Sequence, residues 1–226
     1  MKVDAFILDL DGVITDTAEY HFLAWQALAG DIGITFTRED NELLKGISRM
    51  ESLEKILEIG GRSGDFSVEE KEVLASKKND HYLTLITNIT PSDILPGIKK
   101  LLIAIKANGL KLGLASASKN AFTVMTSLGL KSDFDVIVDA KTITNGKPDP
   151  EVFLTAAKLL GVSAENCIGV EDAVAGVEAI KAAGMFAVAI GPKESFPLAD
   201  VVYSETGKLS FEKIKGLFER ENGLIE

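Results

Sequence analysis

The sequence contains one cysteine, Cys167, among its 226 residues. An internal disulfide framework is therefore excluded, and a reducing compartment fits this usage. Basic residues are also in short supply: 24 Lys and Arg face 34 Asp and Glu, a formal net charge of −10. Phosphate neutralisation needs a basic surface, so this balance argues against a nucleic-acid binder. No apolar run approaches the roughly 18 residues of a spanning helix. Met1-Lys2-Val3-Asp4 is followed by too few apolar residues for a signal peptide. A cytoplasmic protein with neither a membrane nor a nucleic-acid partner is expected, with a monomer as the default state. Repeats and low-complexity tracts are absent. Aliphatic side chains are plentiful, the hydrophobic fraction being 46% against 7% aromatic, so a packed core is available and disorder is not expected. At about 150 residues per domain, the length suits one domain with a large insert or two small ones.

Beyond about Asp93 the pattern alternates between strand and helix. Ile98, Leu101, Leu102 and Ile105 have helical spacing, as do Ala121, Val124, Met125 and Leu128, and again Phe153, Ala156, Ala157 and Leu160. A glycine follows each run (Gly109, Gly129, Gly161), where a left-handed C-terminal residue is expected. Asp149-Pro150 reads as a helix start, with Asp149 as N-cap and Pro150 in first position. Between these helices lie apolar runs of strand length at residues 112–115, 136–138, 167–170, 186–190 and 201–203; residues 5–10 supply another. Runs apolar on both faces suit strands buried between two helical layers, so the expected fold is α/β, a Rossmann-like parallel sheet with right-handed crossovers. Residues 17 to about 90 break the alternation. They read as a charged helical insert that re-enters the sheet domain through 91–96. Residues 1–16 and 93–226 are thus expected to form the core.

The strongest local signal is Asp9-Leu10-Asp11-Gly12, at the end of the first strand. Residues i and i+2 of a strand point the same way, which puts Asp9 and Asp11 on one side, and Gly12 permits a tight turn. Two carboxylates this close repel unless a cation or a proton relieves them. Ordinary turn formation is the plainer explanation. A second acidic pair, Glu171-Asp172, follows the strand that ends in Gly169-Val170, where capping of a helix beginning near Ala173 is the alternative. Ligands of open parallel sheets bind beyond the carboxyl ends of the strands, so all four acids would meet at one edge. Such a set would need a hard cation held by oxygens, and Mg2+ fits because it keeps waters for a phosphate substrate. Ser116 and Lys147 end two further strands. Either alone is an ordinary loop residue, but at that edge a hydroxyl and an ammonium would suit phosphate oxygens.

Taken together, Asp9-Leu10-Asp11-Gly12-Val13, Ser116, Lys147-Pro148 and Glu171-Asp172, with Gly176 and Gly184 downstream, resemble the four motifs of the haloacid dehalogenase-like phosphotransferase superfamily. The resemblance implies metal-dependent phosphoryl transfer and identifies the insert as a helical cap. Four segments are similar, more specifically, to the hexose-phosphate mutases of that superfamily: DLDGVITDTAEYHF from Asp9, LKGISR with Ser52, Lys78-Asn79-Asp80, and ASASKN from Ala115. The likeness runs over essentially the whole chain and is weakest around 58–67 and after Gly191.

What this resemblance implies can be stated residue by residue. Asp9 is the nucleophile that becomes an aspartyl-phosphate, and Asp11 is the general acid and base. Mg2+ is surrounded by Asp9, Asp172, the Asp11 main-chain carbonyl and a water held by Glu171. Ser116, the Ala117 amide and Lys147 hold the transferring phosphate. The substrate is a small sugar phosphate, β-glucose 1-phosphate, and β-glucose 1,6-bisphosphate is the activating intermediate on the way to glucose 6-phosphate. Arg49 clamps the distal phosphate with its guanidinium fork, joined by Ser118 and Asn120. Gly46 and Ile47 bring cap backbone to the sugar, and Ser52 and Lys78 line the cap side. His21 orients Asp11 and senses closure, and Trp25, one turn on along the same helical face, contacts the substrate. Residues 15–18 and 92–96 are the hinges over which closure excludes water. Two places depart from the mutase pattern: Asn145-Gly146 before Lys147, where Gly146 is expected to loosen the loop, and Ala173 in place of a serine. A sugar-phosphate or phosphoglycolate-type phosphatase of the superfamily is the main rival, sharing every core residue. A phospho-acceptor receiver module is a remote one, since it has no long insert and no need for the second aspartate.

Overall fold

The computed structural model describes residues 2–221 and 223. Six strands form one parallel sheet in the order β3-β2-β1-β4-β5-β6: β1 Ala5–Leu8, β2 Lys111–Leu114, β3 Val136–Ile137, β4 Cys167–Glu171, β5 Phe186–Ile190 and β6 Val201–Tyr203. β1, β4 and β5 are buried along their whole length, as strands covered on both faces must be. Alternation along β1 separates the two layers. Phe6 and Leu8 join an apolar cluster with α5 (Ile98–Ala107), α6 (Ala121–Ser127) and α9 (Phe211–Glu221). Ala5 and Ile7 join a second cluster on the opposite face, built on α7 (Glu151–Leu160) and α8 (Val174–Ala182).

Most expected elements occur where the periodicity puts them. Gly109, Gly129 and Gly161 follow α5, α6 and α7 with φ of 69°, 70° and 67°. The start of α7 differs by one residue: Pro150 lies outside the helix but already has helical dihedrals, and the Asp149 carboxylate accepts the Glu151 N–H at 2.9 Å. α9 escaped the sequence reading, yet its Phe211, Ile214 and Phe218 are buried against the sheet. Residues 222 and 224–226 of the expected core, like Met1, lie outside the described residues.

Between β1 and α5 the chain forms α1 (Ala18–Asp31), α2 (Arg38–Glu42), α3 (Arg49–Ile59) and α4 (Val68–Leu85), with no strand among them. This helical unit has its own apolar cluster, in which Phe22, Trp25 and Leu28 of α1 meet Leu53, Ile56 and Leu57 of α3. Ala24 and Tyr82 instead join the sheet cluster, so α1 and α4 face two ways. The two connectors run side by side. Thr15 Oγ1 donates to the Asp93 carbonyl at 2.8 Å, the Leu95 N–H donates to the Ile14 carbonyl at 2.9 Å, and Thr15 bridges Ile94 in antiparallel sense. No helix among the described residues is long and apolar enough to cross a membrane.

Candidate active site

The sheet order reverses at β1, with β2 and β3 on one side of it and β4 to β6 on the other. A crevice at the carboxyl ends of β1 and β4 follows from that topology. Asp9 and Asp11 leave β1 there, and Glu171 and Asp172 leave β4. The turn after Asp11 depends on Gly12: its φ is +74°, and a Cβ at that position would lie 2.0 Å from Asp172 Oδ2. Gly176, in the first turn of α8, has a similar role, since a Cβ there would lie 2.0 Å from Glu171 Oε2. Both glycines leave room for a carboxylate.

Lys147 is the electrostatic centre. Its Nζ donates to Asp9 Oδ1 at 2.6 Å, Glu171 Oε2 at 2.7 Å and the Ala115 carbonyl at 3.1 Å, with the side chain fully buried. Burial alone would lower this ammonium; Asp9 and Glu171 outweigh it and hold Lys147 above its ordinary value. The loop that presents it is not loose, contrary to the expectation from Gly146. The Glu151 carboxylate accepts the Thr144 and Asn145 N–H groups at 2.8 and 2.7 Å, pinning the loop to α7. Glu171 also does what its plainer reading predicts. Its Oε1 accepts the Asp172 and Ala173 N–H groups, each at 3.1 Å, at the start of α8.

One carboxylate oxygen from each of Asp9, Glu171 and Asp172 lies within 4.8 Å of the others, a set of hard donors suited to a small divalent cation. Burial first, and the Asp9 charge second, raises both Glu171 and Asp172, the cost of gathering buried acids at one point. The Asp11 carboxylate is not part of that trio. The residue is half-buried, its buried Oδ1 has no hydrogen-bond partner, and burial followed by the Asp9 charge pushes it up to about 8 against the pull of Lys147 and Lys78. Asp9 and Asp11 thus share a cleft but have different chemistry: one is paired with a cation, the other retains a proton near neutral pH.

The cleft, about 850 Å³ counting its open mouth, lies between the helical unit and the strand ends. Asp9, Asp11, Ser116, Ala117, Ser118, Asn120 and Asp172 line it from the sheet side, and His21, Trp25, Gly46, Ile47, Arg49, Ser52 and Lys78 from the helical side. Of the residues given catalytic, substrate-binding or metal-binding roles in the sequence, only Lys147 and Glu171 are absent from the lining; both are fully buried. Ser116 Oγ accepts the Ser118 N–H at 3.1 Å, which leaves its hydroxyl proton for a ligand. Ser52 spends its proton on the Ser48 carbonyl at 2.9 Å and can only accept. His21 is hydrogen-bonded through Nδ1 to Lys78 Nζ at 2.7 Å. Its ring stacks on Tyr82, while the ammonium sits 4.6 Å from the Trp25 ring and 4.9 Å from that of Tyr82. Burial, then Arg49, lowers Lys78 to about 7 against the pull of Asp11; burial, then Lys78, holds His21 well below its usual value. Ala173, the second departure from the pattern, lies where a Cβ on Gly46 would come within 3.1 Å of its own.

Comparison with known proteins places this geometry. The family model described as haloacid dehalogenase-like hydrolase matches residues 3–184, which carry all the acids and Lys147. The chain belongs to that family. Among its relatives, beta-phosphoglucomutase of Bacillus subtilis is 50% identical over 216 residues, 96% of each chain. The crystal structure of beta-phosphoglucomutase from Clostridium difficile superposes with a TM-score of 0.96 at 51% identity, covering 97% of this chain and 99% of that one. A phosphorylated carbohydrates phosphatase of Thermotoga maritima is 31% identical over 81% of this chain and 82% of its own. Mg2+ dependence is the family norm and agrees with the carboxylate trio.

Sequence reasoning passed over several lining residues. Lys45, Asn79 and Lys119 all face the cleft. Each lies inside a segment already recognised, next to a named residue, and adjacency in those segments was the available signal. Leu44, which opens the LKGISR segment, had the same signal; Asn41, near the end of α2, carried none.

Proposed function

We propose that this chain is a β-phosphoglucomutase, a cytoplasmic monomer that interconverts β-D-glucose 1-phosphate and β-D-glucose 6-phosphate through an aspartyl-phosphate and β-glucose 1,6-bisphosphate. The observation that carries the reading is 50% identity to a beta-phosphoglucomutase over 96% of both chains. It is supported by a cleft with phosphate-binding chemistry at both ends, Lys147 and Ser116 near Asp9 at one and Arg49 with Asn120 at the other.

In this reading residues 17–92 are a cap on the core of 1–16 and 93–226, and the paired connectors at Thr15 and Asp93–Leu95 are its hinges. Asp9 attacks the phosphoryl group while Lys147 offsets the negative charge and Ser116 donates a hydrogen bond to the phosphate. Such transfer depends mainly on positioning and electrostatics. Asp11 holds its proton near neutrality and gives it to the departing sugar oxygen; once ionised, it takes the proton of the incoming hydroxyl. Asp9, Asp172, the Asp11 main-chain carbonyl and Glu171 through water would hold Mg2+, which when bound supplies positive charge beside the nucleophile and phosphate. Arg49, Ser118 and Asn120 bind the distal phosphate while Gly46, Ile47, Ser52 and Lys78 enclose the sugar. After the bisphosphate turns over, its other phosphate returns to Asp9.

The test is a product assay. β-Glucose 1-phosphate with a trace of the bisphosphate is expected to yield glucose 6-phosphate faster than inorganic phosphate, with the α anomer turned over far less. Dominant release of inorganic phosphate would instead support the phosphatase reading.

A further inference from the structure

Asn79 on α4 has two hydrogen bonds to one atom. Its Oδ1 accepts from Arg49 Nη2 at 2.7 Å and from Asn120 Nδ2 at 2.8 Å. Arg49 opens α3 in the helical unit, whereas Asn120 precedes α6 in the sheet domain. The bridge therefore spans the cleft.

The orientation of these amides is set by chemistry. A guanidinium has donors only, so the Asn79 atom facing Arg49 is oxygen; Asn120 must then turn its NH2 group to that oxygen. Each bond recorded for Asn79 ends on its oxygen, and the residue lines the cleft, so its own NH2 donors remain for a ligand. An amide oxygen is also a weak competitor. A carboxylate at the same place would hold Arg49 by a charge-assisted bond and repel a phosphate dianion.

We propose that Asn79 is a positioning residue that couples cap closure to assembly of the distal phosphate site, its side-chain oxygen joining Arg49 of the cap to Asn120 of the core. This deepens the mutase reading and rests on it. Closure brings Asn79 to Asn120, and two donors of the distal site, Arg49 and Asn120, are then held at one point before the phosphate arrives. Asn79 acts through these two residues rather than on the reacting atoms.

The experiment compares Asn79→Ala, Asn79→Asp and Asn120→Ala, each alone, and Asn79→Ala with Asn120→Ala. Two phosphoryl sources are used: β-glucose 1,6-bisphosphate, which fills the distal site, and acetyl phosphate, which has no distal group. For the bisphosphate, Asn79→Ala is expected to raise KM about tenfold or more with a smaller change in kcat, the scale of one lost hydrogen bond to a charged group. The effect on acetyl phosphate should be several-fold smaller. Asn79→Asp should raise the bisphosphate KM further still. In the Asn120→Ala background, Asn79→Ala should cost less than the same change alone, because the bridge is already cut. Equal losses on both phosphoryl sources, a change in kcat alone, or effects that simply multiply would overturn the proposal. A wild-type protein that only releases phosphate would remove the mutase reading, while the same KM series on bisphosphate hydrolysis would still decide the coupling.

Discussion

Substituting Gly176 by alanine sets two effects of opposite sign against each other. Gly176 lies in the first turn of α8, where alanine should stabilise the helix by about 1 kcal/mol. A Cβ there would also lie 2.0, 2.1 and 2.3 Å from Oε2, Cδ and Cγ of Glu171. The whole Glu171 side chain would have to leave, and it is not a free end. Lys147 holds Oε2 at 2.7 Å, and the Asp172 and Ala173 N–H groups hold Oε1 at 3.1 Å. Breaking a buried pair by displacing one partner costs about 3–5 kcal/mol. Subtracting the helix gain leaves a net loss of about 2–4 kcal/mol, or a Tm lower by about 5–15 °C for a chain of this size. Calorimetric melting of Gly176→Ala with and without Mg2+ measures it. The Tm gain on adding Mg2+ should also shrink, because the cation site loses Glu171. Gly216→Ala is the internal control. It lies within α9 with nothing inside 4 Å of the added Cβ, so it should melt at or slightly above wild type. A Gly176→Ala protein as stable as that control, with its Mg2+ response intact, would refute the assigned position of Glu171.

Three further outcomes follow from the site. Asp11, raised to about 8, is protonated in the folded chain across a range, from about pH 4 to 8, in which it is ionised when unfolded. The folded state then binds more protons, so stability falls as pH rises through that window. Asn has no such dependence, so urea midpoints of Mg2+-free Asp11→Asn should gain on wild type between pH 5 and pH 8; parallel profiles would contradict the assignment. Lys78, lowered to about 7, should take up a proton when inorganic phosphate enters the cleft at pH 8. Calorimetry in buffers of different ionisation enthalpy reads that uptake, and Lys78→Gln should abolish it. A Cβ on Gly146 would lie 2.7 Å from Glu51 Oε2, itself held by the Ser48 N–H at 2.8 Å. Gly146→Ala should therefore hinder closure and increase the ratio of released phosphate to glucose 6-phosphate about threefold or more, with a second change, Glu51→Ser, reversing it.

The helices and strands from Asp93 to Tyr203 were legible because a buried parallel sheet writes itself as short apolar runs alternating with 3.6-residue periodicity. The DLDG and GVED acids were legible for a related reason. Polar residues directly after such a run stand at the carboxyl edge, whatever the rest of the chain does. α9 was missed although Phe211, Ile214 and Phe218 share one face, because charged residues between them lower the apolar signal. The separate fates of Asp9 and Asp11 were not legible at all. Two residues apart in sequence, they differ in surroundings: Lys147 bonds an Asp9 oxygen, whereas Asp11 Oδ1 has no partner and burial, then the Asp9 charge, raises its carboxyl.

By itself the sequence determined the layers, the parallel sheet and which acids crowd its edge, because those depend on local periodicity and on where apolar runs end. Only the tertiary structure decided which acid keeps its proton, that His21 answers to Lys78, and that Asn79 joins Arg49 to Asn120. Burial and contacts between residues tens of positions apart set those properties, and neither has a signature along the chain.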